Sequence, residues 1–151
     1  MTFAPQAQQI PVLAGLARGN RLRRIALDTS TPFRTVSDRH TRLLRGAQVP
    51  NSARLIDVAY RRGWLADLPP EPRDLPGLSD RKTEILLALA AGLTDAQIAR
   101  HLHITLYTVR DHLKDMYRAM GARSRPHAVA LGHQHRLFPA HSTALPARLS
   151  A

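Results

Sequence analysis

Apolar positions in the second half of the chain fall three and four residues apart, the period of an α-helix, in segments opened by hydroxyl residues and closed by glycines. Ser79 is placed to cap a helix from Asp80 to about Ala91, with Ile85, Leu86 and Leu89 on one face and Gly92 as its stop. Thr94-Asp95-Ala96-Gln97 has the form of a capping box, in which a threonine and a glutamine three residues on satisfy each other's backbone N–H groups. That box predicts a short helix burying Ile98, Ala99 and Leu102. Thr105 opens a third helix reaching about Met120, with Val109, Leu113, Met116 and Met120 turned inward, and Gly121 ends it. A fourth helix is predicted from about Arg125 to His135. The connection from Leu102 to Thr105 is short enough to make the second and third helices a helix-turn-helix.

The first half carries the same pattern. Displaced by 73 residues, Val12–Leu65 aligns without a gap on Ile85–Phe138. The identical pairs are Leu13/Leu86, Leu16/Leu89, Ala17/Ala90, Gly19/Gly92, Ile25/Ile98, Ala26/Ala99, Thr35/Thr108, Val36/Val109, Asp38/Asp111 and Arg45/Arg118. Most lie at helical spacing, and the breaker glycines stay in register. The expected fold is therefore all-α: two four-helix helix-turn-helix units in tandem, a degenerate one over residues 1–65 and a second over 78–138. Between them, residues 66–77 (ADLPPEPRDLPG) hold four prolines and read as a stiff linker, while the tail 139–151 has no period and reads as disordered. In the first unit Thr31-Pro32 suits an N-cap followed by proline at the first helical position. Pro11 stands where Glu84 does, so the first helix must start late or kink. Trp64 and Phe138, each just after a fourth helix, read as core plugs. A unit of about 60 residues buries only about 60% of its unfolded surface, so each would gain by packing on the other. The fourth helices are the expected contact, through Leu55, Val58 and Ala59 in one and Ala128, Val129 and Leu131 in the other.

Charge changes the picture from fold to partner. The formal net charge is +11 over 151 residues and the pI is about 11.5, which favours a polyanion. No apolar run approaches the ~20 residues of a membrane-spanning helix, so no membrane partner is expected. Met1 to Gln9 has neither the charged n-region nor the apolar h-region of an export signal, and cysteine is absent; both fit a cytoplasmic location. Ser79-x-x-Lys82 matches a nucleophile motif of penicillin-recognising enzymes, but nothing else of that fold is present and Ser79 is better explained as an N-cap. His101, His103, His127, His133, His135 and His141 are not joined by cysteines or clustered carboxylates, so surface histidines are favoured over a metal site. No enzyme activity, cofactor or metal is assigned.

Taken together, Leu78-Ser79, Glu84-Ile85-Leu86, Gly92-Leu93-Thr94, Ile98-Ala99, Thr108-Val109-Arg110-Asp111-His112 and Arg123-Ser124-Arg125 resemble the LuxR-type helix-turn-helix domain of bacterial response regulators. The resemblance implies a sequence-specific, double-stranded-DNA-binding transcriptional regulator at the bacterial nucleoid. Its third helix would enter the major groove, and its fourth would often pair two units. Carried over by position, Tyr107, Arg110, Asp111 and Lys114 would face base edges, and Thr94, Thr105, Thr108, Arg118, Arg123 and Arg125 would touch phosphate. Arginine or lysine can grip guanine O6/N7, and aspartate can accept from cytosine N4. Two departures are visible. His103 stands where the family has a turn glycine, and Asp111 with Asp115 puts negative charge beside the DNA face. In the first unit Ser37 replaces Arg110 and Thr41 replaces Lys114. Arg34, Ser37, Asp38, Arg42 and Arg45 are therefore expected to make secondary, mostly phosphate-directed DNA contacts. Three assembly states stay open: a homodimer, an intramolecular pseudo-dimer, and a complex with RNA polymerase. The rival function is a protein-interaction module that captures a regulator or the polymerase through a degenerate helix-turn-helix.

Overall fold

A computed structural model describes residues 2–75 and 77–138, and among them the chain is all helical with no strand. After a 3-10 turn at Ala7–Gln9 come α1 (Ile10–Ala17), α2 (Leu22–Asp28), α3 (Phe33–Ala47) and α4 (Ser52–Arg61). A helix-free stretch follows, and then α5 (Asp80–Ala90), α6 (Asp95–Leu102), α7 (Leu106–Met120) and α8 (Arg125–Gln134). The tail 139–151, expected to be disordered, lies outside the described residues, as does His141.

The later helices begin where hydroxyl side chains satisfy their first free N–H groups. Ser79, Thr94, Thr105 and Ser124 accept from the backbone of Lys82, Gln97, Thr108 and His127, and Thr94 completes its capping box with Gln97. Pro11 sits in the first turn of α1, where a missing N–H costs nothing, and α1 has 8 residues against 11 in α5. Thr31 is not the cap of α3. Pro32, extended at ψ 140°, takes that place without a side-chain bond, and Thr31 donates its hydroxyl to the Thr29 carbonyl instead. The residue before a proline avoids the helical region, which moves the start one residue along.

The left-handed residues pair across the two halves. Among the described residues they are Gly19/Gly92, Ser30/His103, Gln48/Gly121 and Gly63/Arg136, each pair 73 positions apart. His103 thus adopts at φ 55° the turn conformation that glycine would hold without strain.

One hydrophobic core joins both sets of helices. α4 against α8 is its broadest helix contact, flanked by α1 on α8 and α4 on α5. Leu55, Ile56 and Ala59 of α4 and Ala128, Val129 and Leu131 of α8 are all inaccessible to water. The rim of this contact is polar. Asp57, almost wholly buried, accepts from Arg54 (2.7 Å), Arg61 (2.9 Å) and His133 Nε2 (2.7 Å), which a buried carboxylate requires. Burial alone would raise the Asp57 pKa, but the bonds from His133 and Arg61 hold it below the ordinary aspartate value. Gln134 donates to the Tyr60 hydroxyl at 2.7 Å.

The proline-rich stretch is tied to both halves. Arg18 donates to the Pro69 carbonyl, Gln134 Oε1 accepts from the Glu71 N–H, and Arg73 caps the end of α7 at the Met120 and Gly121 carbonyls. Glu71 also meets His127 Nε2 at 2.7 Å. His127 is therefore not a surface histidine: its side chain is fully buried at the junction. Its Nδ1 accepts from the Arg123 N–H, so protonation would set two donors face to face. Burial lowers its pKa, with Arg73 and Arg123 adding to the effect and Glu71 opposing it.

Two predictions follow from this junction. A folded-state histidine pKa below its ordinary value near 6.5 contributes stability above that pH, and the contribution is lost as the solution is acidified. The denaturation midpoint should fall between pH 7.5 and pH 5.5, and His127→Gln should flatten that slope; an unchanged slope in the variant would show that His127 does not titrate in this window. The second concerns glycine. A Cβ on Gly92 would lie 3.0 Å from Pro50 and 3.1 Å from Arg54, whereas one on Gly63 would meet nothing within 4 Å. Both have left-handed backbones, so Gly63→Ala should cost about 1–2 kcal/mol from conformation alone, and Gly92→Ala more. Equal costs in chemical denaturation would mean that the junction yields freely at Gly92.

Candidate functional site

α7 is amphipathic along its whole length. Val109, Leu113, Met116 and Met120 are buried, while Tyr107, Arg110, Asp111, Lys114 and Arg118 stand exposed on the other side. Tyr107 is 77% exposed, more than any other large hydrophobic residue among the described ones, so burial is not what holds it there. The caps of α6 and α7, Thr94 and Thr105, are also exposed, and the Thr105 hydroxyl lies 2.8 Å from that of Thr108. Arginine, lysine and hydroxyl groups thus stand exposed along one side of one helix.

Asp95, at the start of α6, organises the edge of this face. Its carboxylate accepts from Arg125 of α8 and lies 3.7 Å from Arg110 Nε. The Arg125 hydrogen bond is the main cause of its lowered pKa, with burial opposing and Arg110 assisting. The guanidinium of Arg110 therefore leans on the body of the protein while its side chain stays 66% exposed.

Of the residues expected to contact a ligand, Tyr107, Arg110, Asp111, Lys114 and Arg118 come together on α7, and Thr94, Thr105 and Thr108 lie at helix starts. Arg123 and Arg125 do not join them as free cations. Arg123 donates across the junction to the Arg18 carbonyl and reaches Asn20, and Arg125 is held by Asp95. In the first set of helices α3 has the same construction: Val36, Leu43 and Ala47 buried, Arg34, Asp38, Arg42 and Arg45 exposed, and Ser37 half-buried.

Three features escaped the sequence reading. The Asp57 hub had a local signal, a carboxylate inside Leu55-Ile56-Asp57-Val58-Ala59 with arginines at i−3 and i+4. The Glu71–His127 contact spans 56 residues and had none. Leu27, 75% exposed beside Phe33 (40%) with Arg23 stacked 4.5 Å over the Phe33 ring, was also unforeseen.

Comparison with known proteins gives one family match, which lies in the second half of the chain, and several similar relatives. The family described as "Bacterial regulatory proteins, luxR family" matches residues 76–131. The chain is similar to the nitrate/nitrite response regulator protein NarL of Escherichia coli, 42% identical over 66 residues, covering 44% of this chain and 31% of NarL. It is 35% identical over 81 residues to the putative HTH-type transcriptional regulator YhjB of the same organism, covering 54% and 40%. To the response regulator protein VraR of Staphylococcus aureus it is 29% identical over 109 residues, covering 72% and 49%. The chain thus spans 31% to 49% of the length of these relatives. No solved structure matches it. Among the described residues no helix is long and apolar enough to cross a membrane.

Proposed function

Residues 76–131 being a helix-turn-helix domain of the luxR family of bacterial regulatory proteins, we propose that the chain is a sequence-specific double-stranded-DNA-binding transcriptional regulator whose α7 reads the major groove. The observation that carries this reading is the exposed row Tyr107, Arg110, Asp111, Lys114 and Arg118 opposite a fully buried apolar row, on a chain of net charge +11. Arg110 and Lys114 supply guanine-directed donors, Asp111 an acceptor for cytosine N4, and Tyr107 an apolar edge. Thr94, Thr105, Thr108 and Arg118 hold phosphate. Arg123 and Arg125 add phosphate contacts at the edge of this face, and through their bonds within the protein they also fix the frame from which α7 projects. Residues 78–138 form the reading unit, 66–77 a strap between units, and 1–65 a degenerate unit of the same kind. The site of action is cytoplasmic DNA.

Asp95 gives this reading a specificity device. Holding the Arg110 guanidinium before DNA arrives reduces the side-chain entropy lost on binding. It also subtracts one positive charge from the face, which disfavours random sequence. Asp111 and Asp115 act in the same direction.

Binding should weaken steeply with salt. Neutralising roughly five phosphates gives a slope of log affinity on log salt of about −4 to −5. Arg110→Ala should cost about 1–3 kcal/mol at one base pair of the preferred site and relax the preference there. Arg118→Ala should weaken all sequences alike and reduce the slope by about one. A salt-independent affinity, or two variants that behave identically on preferred and random duplexes, would overturn these roles.

A second reading is favoured by one observation. Leu27 and Phe33 form an exposed apolar patch beside Arg23 on the first set of helices, where a DNA contact would prefer cations. This patch suits capture of a regulator or of RNA polymerase. Leu27→Ser would then abolish that capture and leave duplex affinity unchanged; loss of duplex affinity in Leu27→Ser would instead assign the patch to the DNA-bound face.

A further inference from the structure

The two sets of helices contact one another by a rule that the sequence displacement states in advance. Gly19 approaches Arg123 and His127; Gly92 approaches Pro50 and Arg54. Adding 73 to 50 and 54 gives 123 and 127, so the two approaches are one contact made twice in opposite senses. The helix contacts obey the same exchange, α1 on α8 answering α5 on α4. Tyr60 and His133, themselves 73 apart, stack on each other at 5.1 Å with an interplanar angle of 9°. A residue meets its own counterpart in this way on a two-fold axis. The four pairs of left-handed residues give the halves matching turns on either side of that axis.

We propose that one chain acts as its own two-fold dimer and grips DNA with two unequal heads, α7 reading bases in one major groove and α3 holding the backbone one turn away. This rests on the DNA-binding reading above. Two-fold helix-turn-helix assemblies present their recognition helices to grooves about 34 Å apart, and the axis through Tyr60 and His133 makes α3 the counterpart of α7. The exposed face of α3 keeps cations and loses readers. Arg34, Arg42 and Arg45 stand out from it, whereas Ser37 and Thr41 occupy the places of Arg110 and Lys114. Phosphate contacts fix register without carrying sequence information, so the second head adds affinity and leaves the consensus to the first.

The same geometry closes α8 to a second chain. Ala128, Val129, Ala130 and Leu131 are each 0% exposed, with α4, α1, α5 and α7 packed around α8 and α4 the broadest of these contacts. The strap from Pro69 to Arg73, bonded to Arg18, His127, Gln134 and the end of α7, opposes separation of the halves. A second copy cannot reach this face unless α4 leaves it.

The test uses the full chain on a duplex selected for binding. Light scattering should give one 16.8 kDa chain per duplex, and hydroxyl-radical footprinting should show two protected backbone patches about one helical turn apart, with base preference confined to one. The triple variant Arg34→Ala, Arg42→Ala, Arg45→Ala should lose the outer patch, lower affinity at least about tenfold at moderate salt, and keep the same selected consensus. Two chains per duplex, a single protected patch, or a triple variant of unchanged affinity would each overturn the two-headed chain while leaving α7 as reader. Absence of duplex binding by the unaltered chain would strike the DNA reading itself.

Discussion

α4 lies along α8 with Leu55, Ile56 and Ala59 on one helix and Ala128, Val129 and Leu131 on the other all sealed from water, and the rest of the molecule is arranged around that contact. A helix-turn-helix unit of about 60 residues has too little interior to be more than marginally stable. Its three outer helices can bury Val109, Leu113 and Met116, but the fourth has an apolar stripe on both sides and needs a second body. Here α1 and α4 of the same chain cover it, so the contact does not depend on how much protein the cell makes. The continuous core is the direct expression of that arrangement.

The junction brings together two unlike polar surfaces. In an interface of identical units every polar contact would appear twice, once on each side of the axis. Asp57 instead has Ala130 as its counterpart, Arg61 has Gln134, and Arg54 has His127. One side of the axis is accordingly held by the Asp57 hub, and the other by the buried His127 and Glu71. Asp57 takes Arg54 and Arg61 from its own helix and His133 from the opposite half, whereas His127 takes Glu71 from the segment between the halves. Two copies of α8 facing each other would lack Asp57 for His133, and two copies of α4 would give Asp57 a tyrosine in place of His133. Stability of the junction and selection against the symmetric alternatives therefore come from the same residues.

What the sequence disclosed and what it hid divide by range. Helix starts and stops rest on contacts within four residues, so Ser79, Thr94, Thr105, Gly92 and Gly121 announced α5 to α7 with boundaries nearly right. The exposed face of α7 was legible for the same reason, since one helical period sorts Arg110 and Lys114 from Val109 and Leu113. Thr31-Pro32 was off by one residue because two rules with similar energies compete there, capping by a hydroxyl and the extended bias before proline. Arg123 and Arg125 show the other limit. Their type and place suggest phosphate, and the partners that the fold adds within the protein are not part of that reading. The Arg18 carbonyl and the Asp95 carboxylate are 105 and 30 residues away in the chain. No local pattern reports such partners.

The proline-rich segment shows how a stretch without regular structure can still be ordered. Prolines restrict the unfolded chain, so less entropy is lost when the segment is laid down, and extended backbone leaves its carbonyl and N–H groups free to bond sideways. Those groups are used: Pro69 and Glu71 accept at their carbonyls, and the Glu71 N–H donates to Gln134. Arg73 adds a cation at the carbonyl end of α7, where the helix dipole is negative. The segment thus connects the end of the first half to the last turn of α7, and through His127 to α8. A flexible tether would have left the direction of α7 to fluctuate relative to α3. A strap bonded at both ends transmits the geometry of the junction to the helix that carries Arg110 and Lys114.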